Sequence, residues 1–170
     1  MFFVDNGGTL QCLDIHKLEP VWIYNVEDDT DSTVVLEETE DGVFLYTANE
    51  VDRRCANGQA AKAPTNIRKF NALTGELIWQ YDRDAYYRYY INGGVMATPL
   101  IGKDDIADRI IVPVCFTGSQ LDGKLIALDK ETGEELWVRD LEHYSWSSPV
   151  DIKSEDGKTY GIFCDYGGYM

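Results

Sequence analysis

Positive charge, histidine and paired cysteines are what this sequence is short of. Fifteen Lys and Arg stand against thirty Asp and Glu, a net charge of −15 over 170 residues. So negative a chain repels phosphate backbones and anionic lipid, which excludes nucleic acid and anionic membrane surfaces as partners. The two histidines are His16 and His143, and the four cysteines are Cys12, Cys55, Cys115 and Cys164. None of the cysteines stands in a CxxC or CxxCH spacing, so neither a structural zinc nor an attached c-type haem is expected. Buried free thiols on strands are the expectation for Cys12, Cys115 and Cys164. No apolar run approaches the roughly 20 residues of a membrane helix, so no membrane insertion is expected of this segment. The start, Met1-Phe2-Phe3-Val4-Asp5-Asn6, has neither the basic segment nor the long apolar stretch of a signal peptide. Helical periodicity is weak throughout, and P-loop, dinucleotide and Ser-His-Asp signatures are missing.

What is present is a repeat. With 44 % hydrophobic and 12 % aromatic residues the chain reads as globular. Three segments align: Gly8 to Trp22, Asn66 to Trp79 and Gly123 to Trp137. In each, an Asx residue (Asp14, Asn71, Asp129) precedes a tryptophan by eight positions. The period is 57 and then 58 residues. Each segment reads as a hairpin, with Thr74-Gly75 and Thr132-Gly133 as turns in which glycine can take positive φ. The first segment has Lys17-Leu18 there, and its turn is expected to differ. Further β-rich runs lie between the hairpins: 32–37, 95–101 and 146–152, then 43–47, 109–116 and 159–164. Four antiparallel strands per period, here A to D, indicate propeller blades.

The run Leu125-Ile126-Ala127-Leu128-Asp129, continuing through Thr132-Gly133-Glu134 to Trp137, resembles the repeat of pyrroloquinoline-quinone-like (PQQ-like) propellers. Blade two matches it well and blade one weakly, and with the intervening strands the resemblance covers nearly the whole chain. It implies that Trp22, Trp79 and Trp137 dock between neighbouring blades, a placement that suits a large ring with one polar edge. The family includes quinoprotein dehydrogenases, an assembly lipoprotein and many exported bacterial proteins, which implies an extracytoplasmic or cell-surface location. Phe2 to Thr9 aligns with Ile162 to Tyr169, giving the inventory B-C-D, A-B-C-D, A-B-C-D, A-B. The expected fold is thus an all-β propeller fragment, with two complete blades (27–82 and 94–141) flanked by two partial ones (1–26 and 142–170). Remaining blades or a partner protein are expected to complete it.

Strand order puts the B-to-C and D-to-A connections on one face. There the long connection 48–65, the Tyr86-Tyr87-Arg88-Tyr89-Tyr90 stretch and the His143-Tyr144-Ser145-Trp146 stretch converge. Arg53, Arg54, Tyr87, Arg88, Tyr90, Tyr144 and Trp146 are the candidate binding residues, since Tyr, Trp and Arg dominate binding surfaces. The competing reading packs the tyrosines under the long connection as a local core. Asp28, Asp29 and Asp31 on the same face are a weak calcium candidate, lacking the glycine and final glutamate of an EF-hand loop. No catalytic residue is assigned. Quinoprotein dehydrogenases carry a vicinal Cys-Cys pair beside their cofactor, and none occurs here. The expectation is a non-enzymatic binding or assembly scaffold without cofactor, taking a protein, a peptide or a sugar. The alternatives are a segment of a PQQ- and calcium-dependent dehydrogenase and a carbohydrate-binding module.

Overall fold

The computed structural model describes residues 1–52, 62–88, 91–118 and 122–170; the side chains of Arg88 and Ile91 are outside that description. The described chain is all β apart from one 3₁₀ turn at Asp104–Ile106. Blade one contributes β1 (Phe2–Val4), β2 (Thr9–Asp14) and β3 (Glu19–Asn25). Blade two has β4 (Val35–Thr39), β5 (Gly42–Ala48), β7 (Lys62–Asn71) and β8 (Leu77–Arg88), with β6 (Glu50–Val51) between its second and third strands. After β9 (Ile91–Gly94), blade three has β10 (Leu100–Ile101), β11 (Arg109–Cys115), β12 (Gly123–Asp129) and β13 (Glu135–Leu141). Finally β14 (Val150–Lys153) and β15 (Thr159–Ile162) form a two-stranded sheet.

Every pairing is antiparallel, as in a blade with up-and-down connections. The repeat turn is built by the Asx side chain. Asn71 Oδ1 accepts the amides of Leu73 and Thr74, and Asp129 Oδ1 those of Glu131 and Thr132. Asp14 does the same for His16 and Lys17. The turn of blade one does not differ as the sequence suggests. Leu18 sits at φ 57° with its amide on the Asp14 carbonyl at 2.8 Å, as Gly75 (φ 77°) and Gly133 (φ 74°) do on Asn71 and Asp129. The Asx bonds hold the leucine there against a strain of roughly 1–2 kcal/mol.

Trp22 and Trp79 join blades. Trp22 Nε1 donates to the Ala72 carbonyl at 3.0 Å, and Trp79 Nε1 to the Lys130 carbonyl at 3.1 Å. Each indole lies on the next turn glycine; a methyl group on Gly75 or Gly133 would stand 2.7 Å from the ring. Trp79 is 8 % exposed, while Trp22 and Trp137 are half-buried. Trp137 packs against Leu100, Ile111, Leu125 and Ala127, with the Arg139 guanidinium 5.9 Å from its ring.

One departure from the sequence reading matters for function. Tyr86, Tyr87 and Arg88 lie on a strand rather than in a loop. Strands β7 and β8 run on as a ladder to Lys62 opposite Tyr86. Strand β9 pairs with β8, β6 and β11. Blades two and three are thereby fused into one ten-stranded sheet among the described residues. Tyrosine and arginine were compatible with either form; the partner strand decides it for residues 86–88.

Candidate functional site

Two clusters occupy the face formed by the B-to-C and D-to-A connections. The first is acidic. Residues 28–32 are docked on the start of β6: the Glu50 amide donates to the Asp29 carbonyl, and Ser32 Oγ to the Ala48 carbonyl. Asp28, fully buried, accepts the amides of Asp29 and Asp52. Asp29 accepts the Thr30 amide at 2.7 Å. Carboxylate oxygens of Asp29, Glu50 and Asp52 lie within 4.8 Å of one another. Of the three aspartates singled out in the sequence, only Asp29 belongs to this group. Asp28 is spent on turn hydrogen bonds, and Asp31 is exposed. Glu50 and Asp52 were missed because they arrive from a different connection, although that connection, with its Asn49-Glu50-Val51-Asp52 run, was already assigned to this face.

Arg68 holds this arrangement from below. It is 1 % exposed, and its three nitrogens donate to Gln80, Asn49 and Asn66 at 2.7–2.9 Å. Glu27 stands 3.5 Å from it. Asn49 in turn donates to the Glu50 carbonyl.

Glu50 is 3 % exposed, and its Oε1 accepts from Asn92 Nδ2 at 3.2 Å. Burial first, and then the negative charge of Asp31, push its carboxyl up to about 8, against the opposing pull of Asn92; Asp29 raises it further. A raised carboxyl favours the protonated form in the fold. The stability it contributes is complete below the ordinary glutamate range and is lost as pH rises through about 8. Glu50→Gln is therefore expected to leave stability unchanged near pH 4 and to exceed the parent by of order 3 kcal/mol near pH 9. Urea melts across that range check it. Parallel profiles for the two proteins would mean that Glu50 does not govern the slope.

The second cluster is aromatic. Tyr144 is 5 % exposed and stacks on Tyr166 with centroids 4.8 Å apart and planes at 17°. Phe116 meets it edge-on at 4.8 Å, and Trp146 lies at 5.2 Å. Ser145 Oγ donates to the Cys164 carbonyl, tying the loop to the segment that follows β15. Trp146 is 51 % exposed and, with Tyr144, Tyr166 and Asp165, borders an open cavity of about 200 Å³. Tyr166 was not among the sequence candidates. Its signal was the Asp165-Tyr166-Gly167-Gly168 turn, whose place beside Tyr144 needed the fold.

The other binding candidates divide. Tyr87 is half-buried on β8 and packs against Val51, Ala63 and Ala85. Tyr86 packs against Cys115, Phe116 and Tyr144. Tyr87 thus packs beside residues of the long connection, while Tyr86 packs on blade three and on Tyr144. The connections do meet on one face, through β6 and β9. Arg83 pairs with Glu135 at 3.4 Å across the blade seam. Arg53, Arg54 and Tyr90 lie outside the described residues, as does the Arg88 side chain. His16 is exposed and His143 half-buried, and the two stand in different connections.

No protein-family profile and no curated protein sequence matches the chain. Solved structures do. The quinohemoprotein alcohol dehydrogenase ADHIIG of Pseudomonas putida HK5 superposes with a TM-score of 0.52 at 11 % identity, over 96 % of this chain and 29 % of that one. The quinohemoprotein alcohol dehydrogenase of Comamonas testosteroni gives 0.55 at 15 % identity, over 96 % and 30 %. The chain spans about 30 % of the length of these structures. At such identity the likeness concerns the fold, which is that of a PQQ-like β-propeller. Among the described residues no helix is long and apolar enough to cross a membrane.

Proposed function

We propose that this chain is part of a propeller that binds a partner protein through its aromatic face and does no chemistry itself. The observation that carries the reading is Trp146. A tryptophan half open to solvent, backed by the rigid Tyr144–Tyr166 stack, is the form taken by interface anchors. Aromatic rings braced from behind lose little conformational entropy on binding. An extracytoplasmic setting belongs to the same proposal.

A photo-crosslinking residue at position 146, in the full protein in its native host, is expected to trap one discrete adduct. The same residue at Ile78, exposed on β8, serves as the control. A diffuse smear, or equal adducts at both positions, would count against the reading. With added quinone, calcium and a primary alcohol, no dye reduction is expected.

A second reading, a segment of an alcohol-oxidising enzyme like the two neighbours, is favoured by one observation. Asp29, Glu50 and Asp52 offer clustered oxygen donors of the kind calcium takes. Under that reading these three residues would hold the ion and, through it, orient the quinone that accepts the alcohol's electrons. Dye reduction that is lost in Asp29→Asn would support it and overturn the first.

A further inference from the structure

The cavity beside Trp146 is acidic as well as aromatic. Trp146 and Tyr166 border it, and Tyr144 lies against both rings. Half-buried Asp165 brings a carboxyl to the same cavity. Its Oδ1 accepts the Tyr169 amide at 2.9 Å, which fixes the carboxyl in its turn. A second open cavity, of about 420 Å³, adjoins through Asp165 and is lined by Asp140, Glu142 and Tyr169 as well. Among the described residues only Asp140 of these three carboxylates is in an ion pair, with Lys124. Asp165 and Glu142 therefore leave the two cavities negative.

Elsewhere this fold seats cations on rings. The Arg139 guanidinium stands 5.9 Å from the Trp137 ring, and Lys69 Nζ stands 4.3 Å from that of Phe44. Trp146 is the most open of the four tryptophans, and among the described residues no cation is seated on it.

The carboxyl decides what the cavity can take. Its volume, about 200 Å³, suits one side chain rather than a helix or a strand. An apolar side chain would strip water from Asp165 and give the carboxylate no partner in return. A cationic one replaces that water, meets the negative faces of the rings and is drawn in by a chain of net charge −15. Arginine fits better than lysine. Its planar guanidinium stacks on an indole while its N–H edge forks onto a carboxylate.

We infer that this cavity takes one arginine side chain of the partner protein, stacked on Trp146 and paired with Asp165. The inference rests on the reading that a partner docks on this face, and it names the chemistry of the anchor. Glu142, in the adjoining cavity, adds attraction without contact.

The test uses the full chain labelled with fluorotryptophan, the Trp146 resonance being assigned by its loss in Trp146→Leu. The probe is a capped tripeptide, Gly-Arg-Gly, and its control carries citrulline, the neutral isostere, in place of arginine. The arginine peptide is expected to move the Trp146 fluorine resonance saturably and to leave those of Trp22, Trp79 and Trp137 in place. The citrulline peptide is expected to bind about tenfold more weakly, the worth of one charge-assisted hydrogen bond. Asp165→Asn keeps an acceptor for the Tyr169 amide, so the turn survives, which a thermal melt verifies. It is expected to weaken the arginine peptide about tenfold and to leave the citrulline peptide unchanged. Equal affinity for the two peptides overturns the inference, as does the absence of saturable movement. Tetramethylammonium binding as tightly as the arginine peptide overturns it too, since the guest would then be a free quaternary ammonium ion. The crosslink at position 146 separates this inference from the reading beneath it. A discrete adduct beside equal affinity for the two peptides leaves the docking face and removes the arginine. A smear at 146 removes the docking partner, and the partner's arginine with it.

Discussion

Trp79→Ala is expected to destabilise the protein by about 3–5 kcal/mol, the range for truncating a buried aromatic ring. Three losses coincide at that site. The indole fills the seam core with Tyr46, Val112, Ile126 and Leu128 around it. Its Nε1 satisfies the Lys130 carbonyl. Its face covers Gly133, which was left without a side chain to receive it. Lys69, 1 % exposed, shares the Lys130 carbonyl and reaches Glu131 at 2.9 Å. Removing the ring opens that ammonium to a cavity. Trp79→Phe keeps much of the apolar area and is expected to recover roughly half the loss. Equilibrium urea unfolding measures both. A cost below about 1 kcal/mol for the alanine variant would mean that the seam is not where blades two and three cohere.

The second large effect is expected at Arg68. Arg68→Ala should cost about 3–5 kcal/mol, because the buried amide oxygens of Asn49 and Asn66, the Gln80 oxygen and the facing Glu27 lose their donor together. The consequence reaches the acidic cluster. Asn49 is held by Arg68 and carries the Glu50 backbone, so the carboxylates of Asp29, Glu50 and Asp52 lose their common support. Arg68→Lys, with one donor group in place of a fork, is expected to fall between. Unfolding curves give the energies. Amide exchange at residues 48–52 tells local loosening from a general decline: loss of protection confined to β6 is expected of Arg68→Lys. An alanine variant as stable as the parent would contradict the role assigned to the guanidinium.

Much of this architecture was legible in the sequence because repetition carries its own controls. The Asx residue, the turn glycine and the tryptophan recur at equal spacing, and each has a local physical role. The Asx side chain caps the turn amides, glycine takes positive φ, and the ring closes on the neighbouring turn. Leu18 shows the limit of reading a turn by its glycine: the Asx bonds of Asp14 impose the same conformation on a leucine. The extension of β7 and β8 to residues 62 and 88 had no such marker. Tyrosine and arginine serve a strand, a loop or an interface equally well, and only the facing segment distinguishes them.

The sequence by itself determined the all-β class, the recurrence of the hairpin and the period that separates one blade from the next. These follow from periodicities of two residues within strands and 57 to 58 residues between blades, both of which are local or repetitive properties. The tertiary structure alone decided which side chains meet on that face. Asp29 joins Glu50 and Asp52 across 21 and 23 positions of chain, and Tyr144 stacks on Tyr166 across 22. It also decided that Tyr86 and Tyr87 turn inward while Trp146 remains open. Such pairings depend on how the connections of a blade, and the seams between blades, close on one another. That closure is set by the apolar area and buried polar bonds of the whole seam, which no stretch of sequence encodes alone.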